Sequence, residues 1–291
     1  MERYRFILAE EANFSLSSLT RVLRVSRSGY YAWRGRRPAE GVSDRDAFDA
    51  HVESVFRASR ERYGSRRVQR ELLDAGAKCS RTRVVCAMRR RELIPRARKR
   101  FKATTDSQHT LKVAPNLLDR AFQVAGPNQA WVGDITYIWT RQGWLYLAVL
   151  LDLHSRRVVG WATSALIDRH LVLAALRMAL GTRRPPPGLL HHTDRGSQYA
   201  SGDYQDALTR AGLVCSMSRK GNCWDNAPAE SFFASLKVEE IAHRDFDTRD
   251  QARLAILEYL RWYNAHRRHS TLGNLSPARF EALTSPAQVA A

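Results

Sequence analysis

The chain has 291 residues, of which 44% are hydrophobic, and its 47 Lys or Arg residues outnumber its 29 Asp or Glu residues to give a formal net charge of +18. This hydrophobic content is sufficient for folded domains and excludes a disordered tail. The sequence contains no apolar run of 18 residues, and its first ten residues carry charges where a secretory signal would be apolar, so we expect a cytoplasmic protein. The four cysteines form no C-x-x-C pair, which argues against a disulfide framework or a cysteine zinc site.

The positive charge is concentrated in one part of the chain. Residues 60–102 include 16 Lys or Arg but only 4 Asp or Glu. Residues 130–240 include 12 Lys or Arg and 10 Asp or Glu. A strongly basic segment beside a nearly neutral one predicts a polyanionic partner that contacts mainly the basic segment. We therefore expect a protein that binds nucleic acid.

Residues 1–43 predict a short helical segment. Leucines at helical spacing are followed by a turn and by an aromatic second helix. These two helices could form a small helix-turn-helix, or Tyr30, Tyr31 and Trp33 could simply pack together. The sequence leaves both interpretations open.

A helix-turn-helix-like DNA-binding domain is predicted for residues 44–94. Helices are expected at residues 44–59, at residues 65–75 and after Ser80, which is a favoured N-cap residue. Two helices joined by a short glycine-containing turn can place the second helix in the major groove of DNA. Four arginines lie on the outer face of that second helix: Arg81, Arg83, Arg89 and Arg90. We interpret them as DNA contacts, and the alternative is a solvated arginine face.

Residues 95–128 predict a basic linker. The segment contains Pro115 and Pro127 and shows little periodicity. Its basic run includes Arg98, Lys99 and Arg100. Lys and Arg contacts to the DNA backbone add affinity without reading sequence, so we expect these three residues to contact phosphates.

An α/β domain is predicted for residues 129–245, and a C-terminal helix and basic tail for residues 246–291. Hydrophobic and β-branched patterns place strands at residues 135–140, 144–153, 157–164, 189–193 and 213–217. Helices are expected at residues 169–180, 201–211 and 248–263, and another from about residue 226. Three meander strands, helix, strand, helix, strand and helix is the element order of the ribonuclease-H-like fold.

Three carboxylates occupy element ends in this domain. Asp134 is expected at the start of the first strand, Asp194 just past the fourth strand, and Glu230 in the first turn of a helix. Carboxylates are preferred ligands of Mg²⁺ and Mn²⁺, and two such ions can stabilise an in-line displacement at phosphorus. The set therefore predicts metal-dependent phosphoryl transfer.

The helix that carries Glu230 also presents a lysine to the same side. At 100° per residue, Glu230 and Lys237 fall within about 20° of one stripe, whereas Phe232 lies on a different face. We interpret Lys237 as a DNA phosphate contact, against the alternative of a surface lysine. Asn226 is the favoured candidate among the polar neighbours for a DNA-facing or water-orienting role, although it could equally cap the helix.

Two other aspartates compete for a place in the site. Asp152 ends the second strand and could lie near Asp134 if the hairpin paired in that register, but we assign it a structural role. Asp225 is interpreted as a helix cap.

Longer motifs surround these residues: WVGDITYI, HHTDRGSQY, NCWDNAPAES, RYGSRRV and YNAHRRHSTLGNLSP. Asp194 and Glu230 are separated by 35 residues, and a basic residue follows seven positions later. This pattern resembles the DDE transposases of the IS3 insertion-sequence family, specifically the second-reading-frame product, whose catalytic core is like that of retroviral integrases.

The resemblance implies catalytic and metal-binding roles for Asp134, Asp194 and Glu230, with two Mg²⁺ or Mn²⁺ ions per active site. It also points to phosphate contacts from Arg267 and Arg268 in the end motif. The implied partners are double-stranded DNA at element ends and target, a first-frame transposon protein or a frameshift fusion, and further copies of this chain on DNA. DNA-bound protein would be associated with the nucleoid.

The leading hypothesis is a transposase that hydrolyses a phosphodiester at an element end and then joins the freed 3′-hydroxyl to another DNA. A metal-dependent nuclease without strand transfer is the first alternative. A catalytically inactive DNA-binding regulator is the second.

Overall fold

A computed structural model describes residues 2–35, 40–96, 113–219 and 223–284, and its contacts divide the chain into two units, residues 1–95 and 96–291. The predicted linker residues Arg98, Lys99 and Arg100 lie outside the described residues. Among the described helices, none is long and apolar enough to cross a membrane. The helices of the first unit are α1 (Glu2–Glu10), α2 (Leu16–Val22), α3 (Arg27–Arg34), α4 (Glu40–Ala58), α5 (Ser65–Asp74) and α6 (Arg81–Arg90).

The first three helices share a small apolar core. Ile7, Leu19 and Tyr30 are buried together, one from each helix. The Tyr30 ring stacks on Trp33 with centroids 6.0 Å apart, while Tyr31 is 56% exposed. Tyr30 and Trp33 therefore serve packing, and α1 is a helix that the sequence analysis did not predict.

Helices α4, α5 and α6 form the predicted three-helix arrangement. Val68 and Leu72 of α5 and Val84 of α6 are fully buried, as their spacing predicts. Ser80 caps α6, because its side-chain oxygen accepts a hydrogen bond from the Arg83 amide at 3.2 Å. Gly76 follows α5 with φ +86°, a conformation that glycine adopts without strain.

The second unit is an α/β domain with the ribonuclease-H-like element order. Its elements are β1 (Ala130–Thr140), β2 (Gly143–Asp152), β3 (Val158–Ser164), α7 (Arg169–Arg183), β4 (Leu190–Thr193), α8 (Gly202–Arg210), β5 (Val214–Met217), α9 (Ala227–Glu239), α10 (Arg249–Ala265) and α11 (Pro277–Thr284). The five strands lie in the order β3-β2-β1-β4-β5. Strands β1, β2 and β3 pair antiparallel, and β4 joins β1 and β5 in parallel.

Helices cover both faces of this sheet. Leu147 and Val149 of β2 belong to the core that contains α9 and α10, whereas Ala148 and Leu150 belong to the core that contains α7 and α8. Because side chains alternate between two buried faces, β2 has a nearly continuous apolar sequence. Gly160 lets α7 approach β3, since a Cβ at that position would lie 2.3 Å from the Ala175 carbonyl oxygen.

Strand β1 begins five residues before its predicted start at residue 135. Ala130 to Gly133 pair in parallel with β4, and this pairing extends the strand. The expectation that Asp134 starts the first strand is therefore wrong, since it lies within the strand. The first residues of β1 pair with β2 as well as with β4, and the distant parallel partner leaves no local signal in the sequence.

Helix α10, which follows the predicted division at residue 246, packs on the same face of the sheet as α9. Ile256, Tyr259 and Tyr263 of α10 are buried in one core with Phe232 of α9 and Val149 of β2. The predicted division at residue 246 is therefore not a boundary in the packing of this unit.

Candidate active site

The sheet register places the two aspartates side by side. Gly133 of β1 and Thr193 of β4 form the last parallel pair, and Asp134 and Asp194 are the next residues of their chains. Neighbouring parallel strands therefore bring together two carboxylates that are 60 positions apart in the sequence. One oxygen of each carboxylate accepts a hydrogen bond from a nearby backbone amide. The donor to Asp134 is the Ile135 amide at 2.8 Å, and the donor to Asp194 is the Gly196 amide at 2.9 Å.

Charged groups from β4 and α9 act on Asp134. Burial raises the pKa of Asp134, and the negative charges of Asp194 and Glu230 raise it further. The Ile135 amide and the positive charge of Lys237 act in the opposite direction. Asp194, Glu230 and Lys237 are thus the charged groups that act on Asp134, and a single catalytic site made of these residues stays a prediction.

Helix α9 supplies Glu230 and Lys237 from one stripe. Phe232 and Leu236 are buried in the core, Glu230 is an exposed residue of the first turn, and Lys237 is half-buried. The Lys237 Nζ lies 5.1 Å from the centroid of the Tyr137 ring on β1. The predicted amphipathic stripe is thus the one that the helix adopts.

Asp225 anchors the segment before α9 and does not cap the helix. Its fully buried carboxylate accepts bonds from the Arg219 side chain at 2.9 and 3.0 Å, the Arg219 amide at 3.0 Å and Arg120 Nε at 3.0 Å. The hydrogen bonds from Arg219 are the main reason that its pKa lies below the usual range. The cap interpretation is wrong, because two arginines on other segments are the partners.

Asn226 is buried, contrary to its interpretation as a DNA contact. Only 4% of the residue is exposed, and its Nδ2 donates to the Gly133 carbonyl oxygen at 3.2 Å. It makes no side-chain cap bond, so it connects the start of α9 to the strand residue just before Asp134. Its Oδ1 is buried without a hydrogen-bond partner among the described residues.

A second buried polar atom lies beside the same carboxylates. The Tyr199 hydroxyl, in a residue that is 1% exposed, has no hydrogen-bond partner in the described part of the chain. Burial raises its pKa well above the usual value, and the charges of Tyr204, Asp134 and Asp194 add to this. Tyr199 belongs to the motif HHTDRGSQY, and nothing local in that motif signals a buried hydroxyl. Its hydroxyl is a donor that the carboxylates or a bound water can accept from.

The two histidines before Asp194 are structural. His191 Nε2 lies 2.8 Å from the Tyr204 hydroxyl, and His192 contacts Ser216 at 2.8 Å and Ser218 at 3.1 Å. Burial lowers the pKa of His191 to about 3 and that of His192 to about 4. Both rings are therefore neutral near pH 7 and hold β4 against its neighbours.

Asp152 has the structural role assigned to it. It pairs with Trp131 across the hairpin, three positions along the strand from Asp134. Its buried carboxylate accepts from the Asn128 amide at 2.7 Å, the His154 amide at 2.9 Å and the Trp131 indole at 3.3 Å. These hydrogen bonds hold the Asp152 carboxylate at the end of β2.

The residues of the site fit a divalent cation by their chemistry. Asp134, Asp194 and Glu230 offer carboxylate oxygens, and the Asn226 Oδ1 adds a buried oxygen in need of a partner. Hard oxygen donors are what Mg²⁺ and Mn²⁺ prefer. Within the described residues, no three His, Cys, Asp or Glu side chains are yet close enough to surround one ion.

The four predicted arginines of α6 are all exposed, but two of them also bind groups of their own unit. Arg83 lies over the Phe48 ring at 4.0 Å, and Arg90 donates to Asp49 at 2.6 and 2.7 Å. Arg81 and Arg89 are exposed. The proposal of DNA contact is thus strongest for Arg81 and Arg89, because the other two arginines already bind groups of their own unit.

The expected phosphate contacts of Arg267 and Arg268 are contradicted by their burial. Arg267 is 5% exposed and donates to both oxygens of Glu239 at 2.7 and 2.8 Å, and to Ser235 at 2.9 Å. Arg268 is 7% exposed and donates to the Asn274 carbonyl oxygen at 3.0 Å. A buried carboxylate on α9 requires a countercharge, and the basic end motif supplies it.

The Asp49–Arg90 pair predicts a pH dependence of the helical unit. Hydrogen bonds from Arg90 hold the pKa of buried Asp49 below its usual value of 3.8, although burial acts in the opposite direction. A carboxyl with a lowered folded-state pKa contributes stability that is complete above the unfolded-state pKa and is lost as the pH falls through the folded-state pKa. We therefore expect the free energy of unfolding of α4–α6 to fall below about pH 3.8.

The measurement is hydrogen exchange of α4 and α6 peptides between pH 2.5 and 6, corrected for intrinsic exchange. Asp49→Asn should be less stable at pH 6 and should lose much of this acid dependence. Equal acid dependence in both proteins would contradict the assignment.

Comparison with known proteins agrees with this architecture. Two family models, each described as an integrase core domain, match residues 124–223 and 211–277, and a helix-turn-helix-like domain model matches residues 43–101. The chain is 45% identical over 284 residues to the transposase InsF for insertion sequence IS3A of Escherichia coli (strain K12), which covers 96% of this chain and 98% of that protein. It is 44% identical over 263 residues to the insertion element IS600 uncharacterized 31 kDa protein of Shigella sonnei, with 90% and 97% covered.

Solved structures show more distant similarity. The simian T-cell lymphotropic virus intasome in complex with PP2A regulatory subunit B56 gamma matches with a TM-score of 0.46 and 18% identity, covering 70% of this chain and 67% of that chain. The HTLV-2 integrase catalytic core domain in complex with magnesium, in its trimeric form, matches with a TM-score of 0.42 and 18% identity, covering 54% and 97%.

Proposed function

Since this chain belongs to the IS3 family of insertion-sequence transposases, we propose that it cleaves the ends of a DNA element and joins them to target DNA. The observation that carries this proposal is the shared site of Asp134, Asp194 and Glu230, with Lys237 beside it. Carboxylates held together at a cost in electrostatic repulsion are typical of a cation site.

The three carboxylates would hold two Mg²⁺ or Mn²⁺ ions. When bound, such ions stabilise the attacking and leaving oxygens of an in-line displacement at phosphorus. Cleavage and joining are the same displacement with different nucleophiles, water in the first and a DNA 3′-hydroxyl in the second. No covalent bond between protein and DNA is needed.

The chain's other residues position the DNA and the site. Lys237 is placed to bind a phosphate next to the carboxylates, where its charge lowers the electrostatic cost of a polyanion. Asn226 fixes the start of α9 relative to β1, and Asp225 fixes the segment before it. The buried Tyr199 hydroxyl can donate a hydrogen bond to a carboxylate of the site and so orient that carboxylate.

The helical unit would bind duplex DNA through α6. Arg81 and Arg89 on its exposed face are suited to phosphates or to base edges in the major groove. Arg98, Lys99 and Arg100 would add backbone contacts. The proposed partners are element-end and target DNA, further copies of the chain, and a first-frame protein or frameshift fusion. The proposed location is the cytoplasm, with the DNA-bound protein on the nucleoid.

The test is a strand cleavage and joining assay with labelled element-end duplex, in Mg²⁺ and in excess chelator, with the first-frame product present. We expect nicked and joined products in Mg²⁺ and neither in chelator, because three carboxylates alone have no group that can stabilise the leaving oxygen. Supplying an end with a free 3′-hydroxyl separates joining from cleavage. Cleavage without joining would indicate a nuclease, and DNA binding without either reaction would indicate a regulator.

A further inference from the structure

An exposed row of aromatic side chains lies on the β1–β2 hairpin. Tyr137 and Trp139 of β1 and Trp144 of β2 form this aromatic row. The ring centroids of Trp139 and Trp144 are 4.9 Å apart, and those of Tyr137 and Trp144 are 5.0 Å apart, both edge to face. Trp139 is 59% exposed and Trp144 is 42% exposed. Two large indoles therefore present apolar surface to solvent on one face of the hairpin.

The aromatic row is connected to the carboxylate site through Lys237. Tyr137 lies three residues beyond Asp134 on β1, so its side chain is on the opposite face of the strand, and its ring contacts the Lys237 ammonium at 5.1 Å. Trp139 lies a further two residues outward. Strand β4 ends at Thr193, so no β4 residue pairs with β1 beyond Gly133. The row thus lies along an open part of the strand, and Lys237 joins its inner end to the proposed reaction centre.

Hairpin stability alone does not account for the exposure of the row. Cross-strand aromatic pairs stabilise a hairpin through the ring surfaces that touch. The register pairs Trp139 with Trp144 next to the turn, and that contact leaves more than half of Trp139 in solvent. Exposed aromatic surface of this kind marks an interaction site more often than an isolated apolar residue does.

Basic groups beside the row favour a nucleic acid as its partner. Lys237 lies at the inner end, next to Tyr137. Arg249 lies at the hairpin, where its Nε donates to the Trp144 carbonyl oxygen at 3.0 Å. Exposed aromatic rings flanked by cations are the combination that binds unpaired nucleotides, because bases stack on the rings and phosphates contact the cations.

We propose that the aromatic row binds unpaired DNA bases next to the reacting phosphodiester, with Trp139 and Trp144 stacking on the bases and Lys237 and Arg249 contacting the adjoining phosphates. This inference rests on the proposed function, since it assigns a strand segment to the same site. Stacking depends on the ring face of a base and not on its edge, so the row binds bases without strong sequence preference. Its role is to hold opened end nucleotides away from the duplex.

The test compares binding of the full chain to an element-end duplex with a two-nucleotide single-stranded extension and to the same duplex with a blunt end. Binding is measured in chelator, so it is independent of catalysis. We expect the extension to increase affinity by about tenfold, and we expect the affinity ratio to approach one in Trp139→Ala and Trp144→Ala. Leu166→Ala, which shortens a 66% exposed apolar side chain of the same unit, should keep the ratio of the unmodified protein.

Two further observations protect the test against misfolding. Trp139→Phe and Trp144→Phe preserve an aromatic hairpin pair and should keep most of the affinity ratio. A 2-aminopurine base in the extension should be quenched by the unmodified and Phe proteins and not by the Ala proteins. A ratio near one in the unmodified protein, or unchanged ratio and quenching in both Ala variants, would overturn the proposal. If the unmodified protein shows this binding pattern but does not cleave the element end in Mg²⁺, that result would contradict the proposed function alone.

Discussion

Asp134→Asn is expected to reduce both strand cleavage and strand joining by about 10³-fold or more while duplex binding is retained. Cations at such a site supply several kcal/mol of transition-state stabilisation, and each 1.36 kcal/mol corresponds to a factor of ten in rate. Asparagine has the same shape and can still accept from the Ile135 amide, but it lacks the charge that holds a cation. Both reactions should fall together because they use one site.

The assay follows labelled element-end DNA in Mg²⁺ and compares both reactions with duplex affinity in the same preparation. Asp194→Asn and Glu230→Gln should behave like Asp134→Asn. Asp203→Asn is the matched control, since this aspartate is exposed on α8 and paired with Arg169 away from the site. Full activity in any one of the three carboxylate variants would show that this carboxylate is not part of the active site. Asp152 would then be the next residue to test.

Arg267→Met is expected to destabilise the second unit by about 3–5 kcal/mol, the typical cost of removing one partner of a buried ion pair. Glu239 is 6% exposed and would lose both hydrogen bonds from Arg267 while it keeps the one from the Tyr259 hydroxyl at 2.9 Å. A buried carboxylate with too few donors either remains charged at high cost or takes up a proton. The pair connects the end of α9, the helix of Glu230, to the end of α10.

Hydrogen exchange of β1 and β2 peptides in urea measures this loss in the second unit by itself. Arg261→Met is the matched control, because Arg261 lies on the exposed face of α10 and should change the free energy of unfolding by no more than about 0.5 kcal/mol. Combining Arg267→Met with Glu239→Gln should recover part of the loss, since no unpaired charge remains. A stability effect near zero with weakened DNA binding would favour the phosphate contact that the sequence suggested.

Local patterns predicted most elements of the fold. The hydrophobic and β-branched content of β1 and β2, the N-cap Ser80 and the helical spacing in α5, α9 and α10 are all short-range signals. The stripe that joins Glu230 and Lys237 depends only on helical geometry, which is the same in any context. These features could be derived because each depends on residues within about ten positions of each other.

Side-chain partners across the fold could not be derived in this way. The residue type alone does not show whether an arginine or asparagine faces DNA or the protein interior. Arg267, Arg268 and Asn226 were for this reason predicted to contact DNA. The structure buries all three, because Glu239, the Asn274 carbonyl oxygen and the Gly133 carbonyl oxygen meet them from distant segments. Asp225 likewise has partners more than 100 positions away as well as nearby.

The sequence by itself determined which residues can bear charge, most of the strands and helices, and that two aspartates and a glutamate occur with the spacing of one family. Only the tertiary structure decided that the parallel register of β1 and β4 sets Asp134 beside Asp194, that Tyr199 and Asn226 bring buried polar atoms to the same site, and that the hairpin leaves Trp139 and Trp144 exposed. The physical reason is range: propensity and periodicity act over one or two turns, whereas register, burial and charge pairing depend on chain segments that meet only after folding.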